Sequence, residues 1–211
     1  MTDTREDFIN ALVDLDEIKC IDILNQRVES KEDPFIIIED VRKATDIVGQ
    51  RFEEGRFFVS DLMMAGEILN QIMVILKPVF GESKENKGTV VIGTVEGDVH
   101  DIGKNITSAL LEAEGFNVID LGIDQPPEAF IEAIKENKPV IVALSGLLTE
   151  ATESMKNTVD AIKEAGLRDQ IKIIVGGGRT DEETRKYTGA DEWSDDATSG
   201  VRKFKKLAGV E

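Results

Sequence analysis

One histidine, one cysteine, one tryptophan and one tyrosine occur in 211 residues. The lone Cys20 excludes a disulfide framework and the CxxC pairs of redox and zinc sites, and its helical surroundings assign it to a helix core. A lone imidazole excludes a tetrahedral zinc centre built from His and Cys side chains. Basic residues are also scarce: 25 Lys and Arg against 42 Asp and Glu leave a net charge of −17, shared by both halves of the chain rather than gathered in a tail. That balance argues against nucleic acid and anionic membrane as partners, since both attract clustered Lys and Arg. The opening MTDTREDFIN is acidic and carries no signal-like apolar core, and no run reads as approaching the roughly 18 apolar residues of a membrane span. A soluble, cytoplasmic protein is the expectation.

What is present has two hydrophobic periods. Residues 1–81 show helical spacing, first in Phe8, Leu12 and Leu15, then in Ile18, Ile21, Leu24 and Val28. A third helix opens at Asp33-Pro34, carries Ile37, Val41, Ala44, Val48 and Phe52, and stops at Gly55. A fourth begins near Ser60, carries Leu62, Ala65, Leu69, Ile72, Leu76 and Phe80, and has Gly81 as its stop; Met64 reads as core. Four amphipathic helices with short connections predict an antiparallel bundle. Residues 82–88, ESKENKG, are polar and unpatterned and read as a linker. From 89 to 211 the β-branched runs TVVIGTV, FNVID, PVIVALSG and IKIIVGG, with a weaker ADEWS, alternate with helical segments, the last around Asp195 to Leu207. The fold class is therefore α/β behind an all-α N-terminal domain: a four-helix bundle followed by a five-stranded parallel, flavodoxin-like (Rossmann-like) sheet. Such sheets bind ligands at the carboxyl ends of their strands, where Gly93, Gly97, Gly146, Gly176, Gly177 and Gly178 gather.

The first strand leads into GTVEGDVHDIGKNI, Gly93 to Ile106, which holds the only histidine. It lacks GxGxxG, and its G-x5-G-K is one residue too long for a phosphate-binding P-loop, with Asn105 in place of Ser or Thr. A receiver domain is disfavoured because no late-strand lysine is present. Asp98 and His100 are two apart, so an extended loop places both side chains on one side, while Asp101 faces the other way. A carboxylate beside a ligating imidazole fixes its tautomer and strengthens the free nitrogen as a donor. A single imidazole suits a metal whose other positions are already filled, as in a macrocycle. From His100 alone, an idle surface or capping histidine remains open.

Asp98-x-His100-x-x-Gly103, then Ser145-x-Leu147, then Gly176-Gly177, resembles the DxHxxG…SxL…GG pattern of cobalamin-binding domains. GDVHDIGKNI, DLGIDQPPEAF, ALSGLLTEATESM, VGGGRT and GADEWSDDA extend the likeness over nearly the whole chain. The sequence is similar to the small corrinoid proteins of methanol, methylamine, betaine and aryl methyl ether methyltransferase systems and to the cobalamin module of methionine synthase. The resemblance implies a cobalamin or related corrinoid (methyl, cob(I) or hydroxo form), base-off, with His100 as lower axial ligand to cobalt. Asp98 would hold His100 and Ser145 would complete a hydrogen-bonded relay. The displaced nucleotide tail would take the space left by Gly103, Gly146, Gly176 and Gly177, lined by Leu147 and Thr149, with Val95, Asp101 and Ile102 nearby. Phe58, with Leu62 and Met63 as weaker candidates, would cover the upper corrin face; Trp193, after the fifth strand, either packs the sheet edge or lies near the tail. The implied activity is anaerobic methyl carriage from a substrate-specific methyltransferase to a second one that serves tetrahydrofolate or a thiol. A reductive activase would be a further partner, and the bundle would swing about the 82–88 linker. A subunit of an adenosylcobalamin mutase and a cobalamin sensor are the alternatives.

Overall fold

The computed structural model describes residues 4–80 and 86–210. The chain divides into two compact units, Met1–Gly81 and Glu82–Glu211.

The first unit holds α1 (Thr4–Val13), α2 (Glu17–Glu29), α3 (Pro34–Glu53) and α4 (Val59–Leu76). Its core is Phe8, Leu12, Leu24, Ile37, Val41, Ala44, Ile68, Leu69, Ile72 and Leu76. Asp33 caps α3 by accepting from the Phe35 amide at 2.9 Å, and Pro34 takes the first turn, where no amide hydrogen is needed. Asp61 holds the start of α4 by accepting from the Phe58 amide at 2.7 Å. After Leu76 the chain tightens into a 3-10 turn, Lys77–Phe80, around Pro78, which cannot donate to an α-helical ladder. Gly81, expected as the stop of this helix, lies outside the described residues.

Three expectations fail here for physical reasons. Leu15 is not on the α1 stripe; it lies beyond the helix end, in a turn, with φ 59°. The buried face of α2 runs through Cys20, Leu24 and Arg27, leaving Ile18 78% exposed, because a paired cation replaces an apolar residue in the core. Arg27 donates to Glu32 at 2.8 and 2.7 Å and to Asp40 at 2.7 Å, while its guanidinium lies 5.1 Å from the Phe8 ring centroid. Arg5 adds a second clamp on Asp40, at 2.6 and 3.0 Å. Burial works to raise the Asp40 carboxyl, but the hydrogen bonds and charges of Arg5 and Arg27 win and hold it below the ordinary value. Third, Met64 is half exposed rather than core. By length and composition Val59–Phe80 is apolar enough to cross a membrane, which corrects the expectation that no run approaches that length. Its Ala65, Ile68, Leu69, Ile72 and Leu76 face is bundle core, and Asp61, Glu67 and Lys77 interrupt the run.

The second unit is built on five parallel strands in the order β2-β1-β3-β4-β5. They are β1 (Thr89–Thr94), β2 (Asn117–Asp120), β3 (Ile141–Ser145), β4 (Lys172–Gly176) and β5 (Glu192–Ser194). Between and after them run α5 (Ile102–Ala113), α6 (Pro127–Asn137), α7 (Ala151–Glu164), α8 (Glu182–Thr188) and α9 (Ala197–Ala208). α5 packs on α9, whereas α6 packs on α7 and α7 on α8, giving a helical layer on each face. Val90, Val91, Ile141, Val142, Ile173 and Val175 are fully buried, which is why the inner strands read as continuous β-branched runs. Of the expected 82–88 linker, 82–85 lie outside the described residues, and Lys87 and Gly88 join this unit. The Lys87 amide donates to the Gly115 carbonyl and the Gly88 carbonyl accepts from Asn117, at 2.9 and 3.0 Å. Chain order reverses between β1 and β3, so the loops leaving those two strands diverge and open a crevice at the carboxyl edge.

Candidate functional site

The β1 loop carries Asp98 and His100 into that crevice. Asp98 is fully buried, and its Oδ1 accepts from both the backbone amide and the Nδ1 of His100, at 2.9 and 2.7 Å. Because a carboxylate only accepts, the neutral imidazole carries its proton on Nδ1 and leaves the Nε2 lone pair free. The His100 side chain is 47% exposed, so that nitrogen is open to a ligand. The second oxygen of Asp98 reaches across to the β3 loop and accepts from the amides of Leu147 and Leu148, at 2.6 and 2.9 Å. Burial works to raise the Asp98 carboxyl, but the amides of Leu148, His100 and Leu147, with the imidazole, outweigh it and hold it below its ordinary value. Asp98 is therefore a fixed anion whose four donors join two strand ends.

Ser145 does not complete the expected relay. It ends β3, its carbonyl accepts from the Val95 amide at 3.0 Å, and among the described residues its hydroxyl makes no hydrogen bond to Asp98. The Leu147 and Leu148 amides take that place. Backbone donors carry no residue identity, so only the position of Leu147 two residues after Ser145 hinted at them. Asp101 also turns away from His100: its carboxylate accepts from Asn105 Nδ2 at 3.0 Å. Asn105 Oδ1 in turn accepts from the buried Lys104 at 2.7 Å, and Lys104 pairs with Asp120 at the end of β2. This ion pair, absent from the sequence-based candidates, ties the first turn of α5 to the sheet.

The glycines separate into two kinds. A Cβ on Gly177 would lie 1.9 Å from the Gly146 carbonyl oxygen, and Gly177 has φ 141°. A Cβ on Gly146 would meet Ala151 Cβ at 2.5 Å and Met155 Cε at 3.1 Å. Close packing alone therefore requires glycine at both, against the backbone at the end of β3 for Gly177 and against the start of α7 for Gly146. Gly176 would make only an ordinary contact, 3.7 Å from the Ser194 carbonyl. A Cβ on Gly103, in the first turn of α5 after His100, would meet nothing within 4 Å. A side chain at Gly103 would project into open space. Val95 is fully buried in the core, Ile102 is half-buried, and Thr149 is exposed, its hydroxyl 3.4 Å from Arg179. Trp193 is half-buried on β5 with the Lys203 ammonium 4.1 Å from its ring centroid. In the bundle unit, Phe58 and Met63 are both bare, 70% and 72% exposed, at the start of α4.

Around His100 the carboxyl edge exposes Val99, Ile123, Leu147 and Leu148. Among the described residues no group of three or more His, Cys, Asp or Glu is placed to hold a metal ion. One nitrogen donor with an apolar rim cannot hold a bare ion. It fits a metal that arrives with most of its ligands in a broad, largely apolar ring, which is the chemistry of a corrinoid.

A family model described as a B12 binding domain matches residues 88–202, and a second with the same description matches 4–77. The trimethylamine corrinoid protein 1 of Methanosarcina acetivorans is 38% identical over 202 residues, 94% of each chain. The monomethylamine corrinoid protein of Methanosarcina barkeri superposes with a TM-score of 0.88 at 26% identity, covering 95% of this chain and 96% of the other. In the methanol:cobalamin methyltransferase complex of the same organism, a chain 28% identical matches with a TM-score of 0.56 over 99% of this chain and 80% of its own length. The buried anion, the oriented imidazole and these likenesses agree, and the chain belongs to the corrinoid proteins of methyltransferase systems, B12-binding proteins whose cofactor is cobalamin or a related corrinoid.

Proposed function

We propose that this protein carries a methyl group from a substrate-specific methyltransferase to a second methyltransferase, which passes it to tetrahydrofolate or a thiol, with His100 as lower axial ligand of a base-off corrinoid. The observation that carries this reading is the 2.7 Å bond from His100 Nδ1 to a carboxylate with no exposed surface. Bound there, the corrinoid's cobalt supplies the methyl-carrying chemistry, and the protein supplies ligation and orientation. Asp98 holds the imidazole in the tautomer that presents Nε2. Its other oxygen is already satisfied by the Leu147 and Leu148 amides, so the carboxylate does not rotate to follow the ring. A metal and a proton compete for the one Nε2 lone pair, so letting go of the metal and taking up a proton occur at the same atom. Exposed Val99, Leu147 and Leu148 offer an apolar bed for the ring, and Gly103 leaves the backbone beside it accessible.

The substrate-specific partner is a methylamine methyltransferase. Support comes from the relatives, one named for trimethylamine and another for monomethylamine. A reductive activase completes the partner set, and the system works anaerobically in the cytoplasm. The test is His100→Ala, reconstituted with hydroxocobalamin and reduced to cobalt(II). Wild-type protein labelled with 15N-histidine is expected to show in its electron paramagnetic resonance spectrum the two-line hyperfine splitting of a labelled nitrogen, which the variant lacks. Identical spectra would refute the ligation.

A further inference from the structure

The Leu147 and Leu148 amides grip the Asp98 side chain from the β3 side; a second grip, on the backbone, comes from β2. Thr94 donates to the Gly122 carbonyl and Gln125 to the Thr94 carbonyl, 2.9 Å each, carrying the β1–β2 pairing past the ends of both strands. Asp124 then bonds the His100 loop twice. Its amide donates to the Asp98 carbonyl at 3.0 Å, and its Oδ1 accepts from the Gly97 amide at 2.7 Å. Those two bonds pin the peptide planes on either side of the Gly97–Asp98 pair. To make them Asp124 sits at φ 53°, the left-handed region that Asp and Asn tolerate better than most side chains. Pro126 follows Gln125 and restricts it to extended backbone, so the β2 loop is a stiff support.

We propose that Asp124 is a positioning residue for His100. Acting through Gly97 and Asp98, it fixes the loop before any ligand arrives, so that ligation by the imidazole requires no further ordering of the backbone. This rests on the assignment of His100 as the metal ligand.

Two variants of the full chain test it. Asp124→Gly and Asp124→Asn both accept the left-handed backbone, but only Asn keeps an acceptor for the Gly97 amide. In the corrinoid-free protein, amide exchange across residues 96–100 should rise about tenfold in Asp124→Gly, the fold-change that losing one charge-assisted hydrogen bond produces. After reconstitution with hydroxocobalamin and reduction to cobalt(II), the ratio of imidazole-ligated to unligated metal should fall by about the same factor. Asp124→Asn should stay within about twofold of wild type in both measurements, because its oxygen still accepts. Wild-type exchange and ligation in Asp124→Gly would overturn the proposal, as would equal losses in the two variants. A lower melting temperature with an unaltered cobalt(II) signature would assign Asp124 to stability alone and also overturn it. Should wild type and His100→Ala give the same cobalt(II) spectrum, the ligand assignment fails, and the exchange measurement, which needs no corrinoid, decides whether Asp124 fixes the loop.

Discussion

Asp98→Asn changes one oxygen to an amino group and leaves shape intact. Wild-type Asp98 accepts from four N–H groups at 2.6 to 2.9 Å, two on each oxygen. Asparagine keeps one acceptor oxygen, so its orientation follows from which pair of donors is dearer to strand. Turning the NH2 toward Leu147 and Leu148 would leave two buried amides facing a donor. Turning it toward His100 strands only the His100 amide, because the imidazole can respond by moving its proton from Nδ1 to Nε2. The second arrangement wins by roughly one unpaired buried amide, about 1–3 kcal/mol. The variant then loses a charge-assisted bond and leaves one donor unpaired, a destabilisation of about 2–4 kcal/mol, which a fold stable by about 5–15 kcal/mol survives. Its Nε2 carries the proton and can no longer offer a lone pair to a metal. Both consequences are measurable in the corrinoid-free chain. With one histidine, a long-range proton–nitrogen spectrum in mildly alkaline buffer reads the tautomer without assignment. With one tryptophan, Trp193, in the same unit, fluorescence-detected urea unfolding reports that unit's stability. An unchanged Nδ1–H tautomer together with an unchanged urea midpoint would refute the reasoning.

Gly103→Ala should leave the corrinoid-free protein as stable as wild type, or about 0.5 kcal/mol more so, since its methyl meets nothing and Ala favours helix. It should weaken hydroxocobalamin binding measured by equilibrium dialysis, and unaltered binding would refute open approach at that residue. Gly177→Ala should unfold or severely destabilise the sheet unit without any corrinoid, because 1.9 Å from a carbonyl oxygen is untenable; thermal melting checks this. In the bundle, Asp40→Ala removes the buried carboxylate that Arg5 and Arg27 clamp, leaves Arg27 its bonds to Glu32, and should cost about 1.5–3 kcal/mol at pH 7. The Asp40 carboxyl is lowered in the fold, so the unfolded chain takes the proton first as pH falls. Its stabilisation is complete at neutral pH and disappears as pH drops below about 4. Urea unfolding followed by circular dichroism should therefore show wild type and Asp40→Ala converging between pH 7 and pH 3; a constant gap would refute the assignment.

Local signals in the chain were legible and distant ones were not. Asp33-Pro34 marks the start of α3 because capping acts within one turn, and the β-branched runs mark β1, β3 and β4 because parallel inner strands are buried on both faces. Apolar periodicity does not locate the buried stripe of α2, because Arg27 is neutralised by Glu32 and Asp40, five and thirteen positions away, and a paired cation does not register in it. At the site, Asp98 and His100 were legible because two-residue spacing alone brings them together. The Leu147 and Leu148 amides and Asp124 were not, since their bonds join segments far apart in the chain, and two of those donors are backbone. The crowding that demands glycine at Gly146 and Gly177 is likewise set by segments that sequence reading does not bring together, the start of α7 for the first and the Gly146 carbonyl for the second.

The long reach of Asp98 has a consequence for biosynthesis. Its bonds to Leu147 and Leu148 span 49 and 50 residues. A chain emerging from the ribosome therefore exposes His100 well before it can orient His100. Until β3 has docked beside β1, the carboxylate lacks two of its four donors, and only its local bonds to His100 hold the pair. An imidazole held by a carboxylate with all four donors in place is thus a product of completed sheet assembly.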